Sequence, residues 1–445
     1  MTGAQTAVLR GHALAAWRAG LRAVDATAAA ERALARRTDL HPNASSTLVL
    51  AAGKAAVPMM RGALPVARAI VLAPAGVEAG DLPAHVPVLR GGHPFPTPEG
   101  IAATRRIMAE VGALGAGDLL VVLLSGGASA LLEAPACGIS EDDLIQTHRL
   151  LVGSGAPIQD INRIRICLSA VKGGGLARLA EPARVVTLAL SDVAGDDPRI
   201  IGSGPTVAQE CEAGAAWEIV RTRALELPET VTARLSSMAS GAPAASREPA
   251  TPQDAAQGRR IELPATDYEI VACAEDAARA ACTELATLGY AVSRCNLGGA
   301  TGEAADAIAA RIRAMQRSAR PSALVAAGET VVRLRRGTVG RGGRNLDLAA
   351  RLALSIRGSG ALACACAGTD GCDGSSRAAG AIIDEGTAAR AARADLPLDR
   401  AVASYDTEPA LAAAGDLLVT GATGTNVGDL LVAVCNAGAS GSVSW

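Results

Sequence analysis

The 445-residue sequence predicts an α/β protein of two α/β domains, the first built on a mostly parallel sheet. Three observations carry this. Short Val-, Ile- and Leu-rich runs alternate with Ala-rich stretches of helical length, the alternation occurs in two series, and a Pro-, Ser-, Ala- and Gly-rich stretch, Leu227–Pro264, separates them. Continuous apolar runs of strand length between helices mark strands covered on both faces. A chain this long also exceeds what one hydrophobic core ordinarily serves.

The N-terminal stretch "MTGAQTAVLRGHALAAWRAGLRAVDATAAAERALARR" reads as an amphipathic helix. It lacks the charged-then-apolar order of a signal peptide. No uninterrupted apolar run in the chain approaches the ~18 residues of a membrane span, so a cytoplasmic protein is expected. The first series of strands is "STLVLAAG", "AIVLAP", "DLLVVLLSGG" and "RVVTLALSDV". The second is "YEIVACAED", "GYAVSRCNL", "ALVAAGET", "ALACACAGTDG" and "DLLVTGATGTN", with helices over "TGEAADAIAARIRAMQRSA" and "GRNLDLAARLALSIRG".

Composition excludes several functions. Net charge is −2 and aromatic residues are 2% of the chain, so neither the basic stripe nor the stacking platform of a nucleic-acid binder is present. The ten cysteines are scattered without a CxxC pair and read as buried free thiols of a reducing compartment. With five histidines and only His93, in "RGGHPFPTPEG", in a motif-like setting, no zinc site or His relay is visible. His93 reads equally as a turn residue and as a ligand.

The chemistry is concentrated in loops after strands, where open parallel sheets bind ligands. Lys54 and Lys172 are the only lysines among 42 basic residues. Lys54 follows Gly53 at a strand-to-helix turn, where a compact cation meets an anion held by the helix N-terminus. In "LLSGGASALLEAP", Ser125, Gly126, Gly127 and Ser129 form a backbone-amide cradle of the phosphate-binding kind. "INRIRICLSAVKGGGLA" offers Asn162, Arg165 and Lys172, for which a ligand role and a helix-capping role weigh equally.

"LALSDVAGDDPRIIGSGPT" brings Asp192, Asp196 and Asp197, then Gly204, in one loop; three carboxylates there suit a hard cation or a positioned hydroxyl. The second series supplies Glu329 at a strand end, a Gly-rich hairpin, Arg344 and Asn345 opening a helix, Asp370 and Asp373 in "GTDGCDG", and Thr420, Thr423, Thr425 and Asn426. A guanidinium fork, carboxylates and hydroxyls on one sheet edge suit a phosphorylated nucleotide with Mg²⁺. There is no GxxxxGK[ST] loop and no GxGxxG dinucleotide fingerprint.

In order along the chain, GKAA, GGHPxP, LLSGGxSALL, INxxRxxLSxxKGG, SDVxGDDPxxIGSGPT, GET, GGRN, GTDGxDG and TGxTGTN resemble the glycerate 2-kinase family. Its members join an N-terminal glycerate-kinase domain to a C-terminal MOFRL domain, and some carry an older hydroxypyruvate-reductase label. The resemblance implies a Rossmann-like domain over 1–240, a linker or long loop over 241–264, and a MOFRL-type α/β domain over 265–445, with the active site in a cleft between domains. It implies ATP- and Mg²⁺-dependent phosphorylation of the 2-hydroxyl of D-glycerate. Carried over by motif, Lys54 and Arg344 are the basic residues and Asp192 and Asp370 the principal carboxylates and metal candidates. The other loop residues would bind substrate or nucleotide, and homo-oligomerisation is left open.

Thr97, the pair Ile166 and Cys167, and the pair Ser375 and Ser376 depart from the family pattern near the expected cleft. Two competing readings follow: an NAD(P)H-dependent hydroxypyruvate or tartronate semialdehyde reductase, against which the missing dinucleotide fingerprint stands, and a catalytically inactive ligand-binding paralogue.

Overall fold

The computed structural model describes residues 3–240, 267–334 and 340–437. The chain divides into two compact units, one of Ala26–Val271 and one joining Met1–Asp25 to Ala272–Trp445. The expected linker over 241–264 and residues 335–339 of the Gly-rich hairpin after Glu329 lie outside the described residues.

In the first unit, β1 (Thr47–Ala52), β2 (Arg68–Pro74), β3 (Val88–Gly91), β4 (Leu119–Leu124), β5 (Arg184–Ser191) and β6 (Asp267–Cys273) form one sheet in the order β3-β2-β1-β4-β5-β6. The pairs β3/β2, β2/β1, β1/β4 and β4/β5 are parallel. Every residue of β1 is buried, as its unbroken apolar sequence "TLVLAA" requires. Leu50, Leu72, Leu120 and Val122 pack with Ile107 and Val111 of the helix Pro98–Gly112. That helix starts where the sequence says it should: Thr97 accepts the Gly100 N–H and Pro98 opens the first turn.

In the second unit, β7 (Ala291–Leu297), β8 (Ser322–Gly328), β9 (Leu362–Gly368), β10 (Gly380–Asp384), β11 (Leu417–Leu418) and β12 (Asp429–Cys435) are ordered β11-β10-β9-β12-β8-β7. Here only β7/β8 is parallel; β12 runs antiparallel to both β8 and β9. Asp429, the first residue of β12, therefore pairs with Gly328 on one side and Gly368 on the other, the last residues of their strands. One strand beginning and two strands ending bring three loops to a single edge.

The structure corrects three expectations. "YEIVACAED" was expected to open the second domain, but β6 is the edge strand beside β5 in the first sheet, with Tyr268 and Ile270 packed on that sheet's core. The N-terminal helix, expected within a domain over 1–240, belongs to the second unit. Trp17 of the helix Gly3–Ala23 is fully buried with its indole N–H 3.4 Å from Ala367 O, and Arg10 lies 2.6 Å from Asp384 and 2.9 Å from Asp416.

The third concerns the cysteines. Cys167 and Cys211 are joined in a disulfide, and Cys137 and Cys372 are exposed, so the set is not uniformly buried thiols. Cys167 lies in the last turn of the helix Ile158–Leu168, and Cys211 just before the helix Ala213–Thr222; packing of these two helices brings the sulfurs together. Among the described residues no helix is long and apolar enough to cross a membrane.

Candidate active site

The sequence-selected residues fall into two sets, one in each unit. Lys54, Ser125, Gly126, Gly127, Ser129, Asn162, Lys172, Asp192 and Gly204 lie in Ala26–Val271. Glu329, Arg344, Asn345, Asp370, Asp373, Thr423 and Asn426 lie in the other unit.

In the first sheet the chain order reverses between β1 and β4, the place where doubly wound sheets open a crevice. The turns that leave these strands are stitched to each other. Lys54 N–H donates to Gly126 O at 2.9 Å, Ala55 N–H to Ser125 Oγ at 3.0 Å, and Ser125 N–H to Ala52 O at 3.0 Å. Gly53 has φ +128°, and a Cβ there would sit 2.2 Å from Ser125 Oγ and 2.6 Å from Ser125 O, so only glycine permits this approach. Lys54 is thereby held against the Gly126–Gly127 turn: its Cγ lies 3.2 Å from where a Gly127 Cβ would be, and His93 Nε2 stands at the same distance. The sequence left His93 open; the structure places its exposed ring at this turn.

Ser129 Oγ is 2.9 Å from Ser203 Oγ, which donates to Asn162 Oδ1 at 3.2 Å. Ser203 stands between Gly202 and Gly204 in a run of three positive φ angles, a strained arrangement for a non-glycine residue. Gly173 and Gly174 hold that run by donating to the carbonyls of Ser203 (3.1 Å) and Gly204 (2.7 Å).

Lys172 requires a correction. Its ammonium is buried beneath this turn, 2.8 Å from Glu133 Oε2, 2.8 Å from Ser129 O and 3.4 Å from Leu132 O. Its three donors face protein acceptors, so Lys172 supports the Ser129 turn rather than meeting a ligand. Glu133, which sequence reasoning passed over, also receives Ser169 Oγ at 2.5 Å and lies 2.9 Å from His148 Nε2. Burial raises the Glu133 carboxyl, but Lys172 and His148 overcome that and hold it below the usual carboxylate range.

The expected three-carboxylate cation loop is also corrected. Asp197 is engaged in a bidentate pair with Arg199, at 3.0 Å and 2.7 Å, and caps its own turn by accepting Arg199 N–H. Among the described residues no group of three or more His, Cys, Asp or Glu side chains is placed to hold a metal ion. Asp192 remains half-buried just after β5.

At the second unit's three-loop edge, Arg344 opens the helix Arg344–Ser355 and is 32% exposed. Its Nε donates to Asp429 Oδ2 at 2.6 Å, its Nη2 to Asp429 Oδ1 at 3.0 Å, and its Nη1 lies 2.6 Å from Glu329 Oε1. Asn345 donates from its side chain to Asp429 Oδ1 at 2.8 Å. Asp373 caps the helix, accepting Asn345 N–H at 3.1 Å and Leu346 N–H at 2.7 Å. Burial pushes Asp373 up to about 6 against those backbone donors. Thr423 Oγ1 donates to Thr369 O at 2.5 Å and Thr423 N–H to Asp370 O at 3.3 Å, tying the Thr-rich loop to the Asp370 turn, with Asn426 buried in that loop.

Asp429 is the residue the motif search missed here. Its signal was an acid heading the apolar run "DLLVAVC".

The arrangement offers cations on fixed frames: Lys54 on glycine-bounded turns, Arg344 on a buried carboxylate. Each has an aspartate at a strand end in its own unit, Asp192 and Asp370. Comparison with known proteins gives the same direction. Residues 12–236 match the family model described as a domain of unknown function, DUF4147, and residues 322–429 match the MOFRL family. The D-glycerate 2-kinase of Thermotoga maritima is 32% identical over 400 residues, covering 88% of this chain and 91% of that protein. A protein of Agrobacterium vitis provisionally named hydroxypyruvate reductase is 35% identical over 354 residues, covering 78% and 76%. The crystal structure of glycerate kinase from Thermotoga maritima superposes with a TM-score of 0.80 at 30% identity, covering 96% of this chain and 99% of that one. The chain belongs to the two-part DUF4147 and MOFRL family, in which it stands beside the D-glycerate 2-kinase of Thermotoga maritima.

Proposed function

We propose that this protein is a D-glycerate 2-kinase, transferring the γ-phosphoryl group of ATP to the 2-hydroxyl of D-glycerate. The observation that carries the reading is the Lys54 turn: a cation fixed against a glycine cradle where the first sheet's order reverses, in a chain whose relatives include named glycerate kinases. The crevice turn after β1 has no GxGxxG, which tells against nicotinamide chemistry.

A glycerate carboxylate and a phosphoryl group in transfer repel each other, so fixed positive charge has to offset them. Lys54 and Arg344 supply it. Asp192 and Asp370 divide two tasks, taking the proton of the attacking hydroxyl and binding Mg²⁺. The donor chemistry fits that ion: half-buried carboxylates at strand ends suit Mg²⁺, which keeps several waters and takes its other ligands from phosphate oxygens. Bound there, Mg²⁺ would offset charge on the phosphate oxygens. Ser125, Gly126, Gly127, Ser129, Asn162, Gly204, Glu329, Asn345, Asp373, Thr423 and Asn426 shape the loops that receive substrate and nucleotide.

The test is an assay of purified protein with D-glycerate, ATP and Mg²⁺, read through enolase without added mutase, since enolase accepts the 2-phosphate alone. A signal is expected, and Lys54→Ala is expected to lower kcat/KM by ~10²-fold, the scale of one lost transition-state charge contact. NADH oxidation with hydroxypyruvate in the absence of any phosphoryl transfer would reverse the assignment.

A further inference from the structure

Arg165 presents a problem of charge. It is 7% exposed, and among the described residues no hydrogen bond or ion pair reaches it; its Nε is sealed from solvent without an acceptor. An unpaired guanidinium in such a place is costly. The nearby carboxylate cannot serve it, because Glu133 already faces Lys172, His148, Ser169 and the Ala134 N–H. Glu133 does stabilise the Arg165 charge from a distance, but desolvation outweighs it, and Lys172 adds a second buried cation that Arg165 repels. With Arg165 and Lys172 against Glu133 alone, this part of the molecule carries an excess of positive charge.

The residue's neighbours indicate what is missing. Asn162 lies one helical turn before Arg165 on the helix Ile158–Leu168, so both project from one face. Asn162 Oδ1 accepts from Ser203 Oγ, which leaves the donor end of its amide for another acceptor. Ser203 in turn meets Ser129 of the Gly126–Gly127 turn. A planar five-donor fork beside an amide donor, at the rim of the Ser129 turn, matches one oxyanion group in two-point contact.

We propose that Arg165, with Asn162, forms a recess for a single oxyanion group of a substrate, a carboxylate or a phosphate. The identity of the substrate rests on the kinase reading; the buried guanidinium without a partner among the described residues does not. An anion bound there would neutralise Arg165, relieving the cost of its burial as well as forming hydrogen bonds.

The experiment compares the full chain with Arg165→Gln by calorimetric titration of inorganic phosphate, D-glycerate and ATP, alongside unliganded melting curves. Arg165→Met, apolar and of similar reach, serves as a second variant if glutamine prevents folding. The wild type is expected to bind at least one of the three ligands about tenfold more tightly than the variant, the scale of one charged hydrogen-bonded contact. The unliganded variant is expected to melt no lower than the wild type. Weakening confined to D-glycerate identifies a carboxylate recess, and weakening confined to ATP a phosphate recess. Equal affinities in wild type and variant for all three ligands would overturn the proposal, as would a lower unliganded melting temperature with unchanged affinities, the behaviour of a structural cation. The phosphate arm stands even if the protein proves to lack kinase activity.

Discussion

Arg344→Ala is expected to lower kcat/KM by about 10²–10³-fold and, unlike Lys54→Ala, to destabilise the fold. The sequence alone leads to a different expectation, loss of activity with little loss of stability, because Arg344 reads as a cleft residue after a Gly-rich hairpin. The structure shows what lies behind it. Asp429 is fully buried at the start of β12 and meets Nε and Nη2 of Arg344 in a two-point pair. Removing the arginine leaves that carboxylate in the protein interior with only the Asn345 amide, a change of the kind that costs about 3–5 kcal/mol.

Asp429→Asn separates the two effects. It removes the stranded charge while keeping the shape, so stability should remain nearer the wild type than in Arg344→Ala. The guanidinium then loses the anchor that fixes its plane, and kcat should fall more than KM rises. Denaturant midpoints and steady-state kinetics on both variants decide this. Wild-type turnover in Arg344→Ala would remove Arg344 from the transition state, and wild-type stability would remove the buried pair from the energetics.

The parts of the fold that the sequence revealed are those with local causes. β1, β2, β4 and β5 are unbroken apolar runs because helices cover both sheet faces, and the helices Thr301–Met315 and Arg344–Ser355 fall within the stretches expected to be helical. β3 was not recognised because it has four residues, three of them half-buried, and β10 because its five residues follow directly on a Gly- and Ser-rich loop. The placement of the N-terminal helix turns on a long-range event, the docking of Trp17 beneath Ala367, which no local pattern encodes. The same distinction runs through the site. The turns at Gly53 and Ser125 were legible because strand-end glycines have a local conformational reason. The role of Lys172 was not, since "VKGGG" reads identically whether the ammonium meets a ligand or a glutamate brought in from another loop. The Cys167–Cys211 bridge, 44 residues apart in sequence, has no motif at all.

Glu133→Ala is expected to cost about 3–5 kcal/mol, a large share of the ~5–15 kcal/mol that holds a typical domain together. The variant removes the carboxylate that, among the described residues, alone faces Lys172 and leaves that ammonium buried against two backbone carbonyls. Lys172→Met should be similarly damaging, since it leaves Glu133 without its buried ammonium partner, facing His148, Ser169 and the Ala134 N–H. The double variant Glu133→Leu with Lys172→Met removes both charges and should recover much of the loss, as apolar replacements of buried ion pairs commonly do. It cannot restore the ammonium's bond to Ser129 O, so recovered folding with reduced turnover is the expected combination.

The pH dependence has a definite sign. Glu133 is held below its unfolded range, so its contribution is present at neutral pH and is lost as the pH falls below about 4, where the unfolded carboxyl protonates first. The stability gap between wild type and Glu133→Ala should therefore narrow from pH 7 to pH 3 in denaturant titrations. A double variant whose loss of stability equals the sum of the two single losses would show that the two residues contribute independently. A gap constant with pH would show that the carboxylate's charge contributes nothing to the fold.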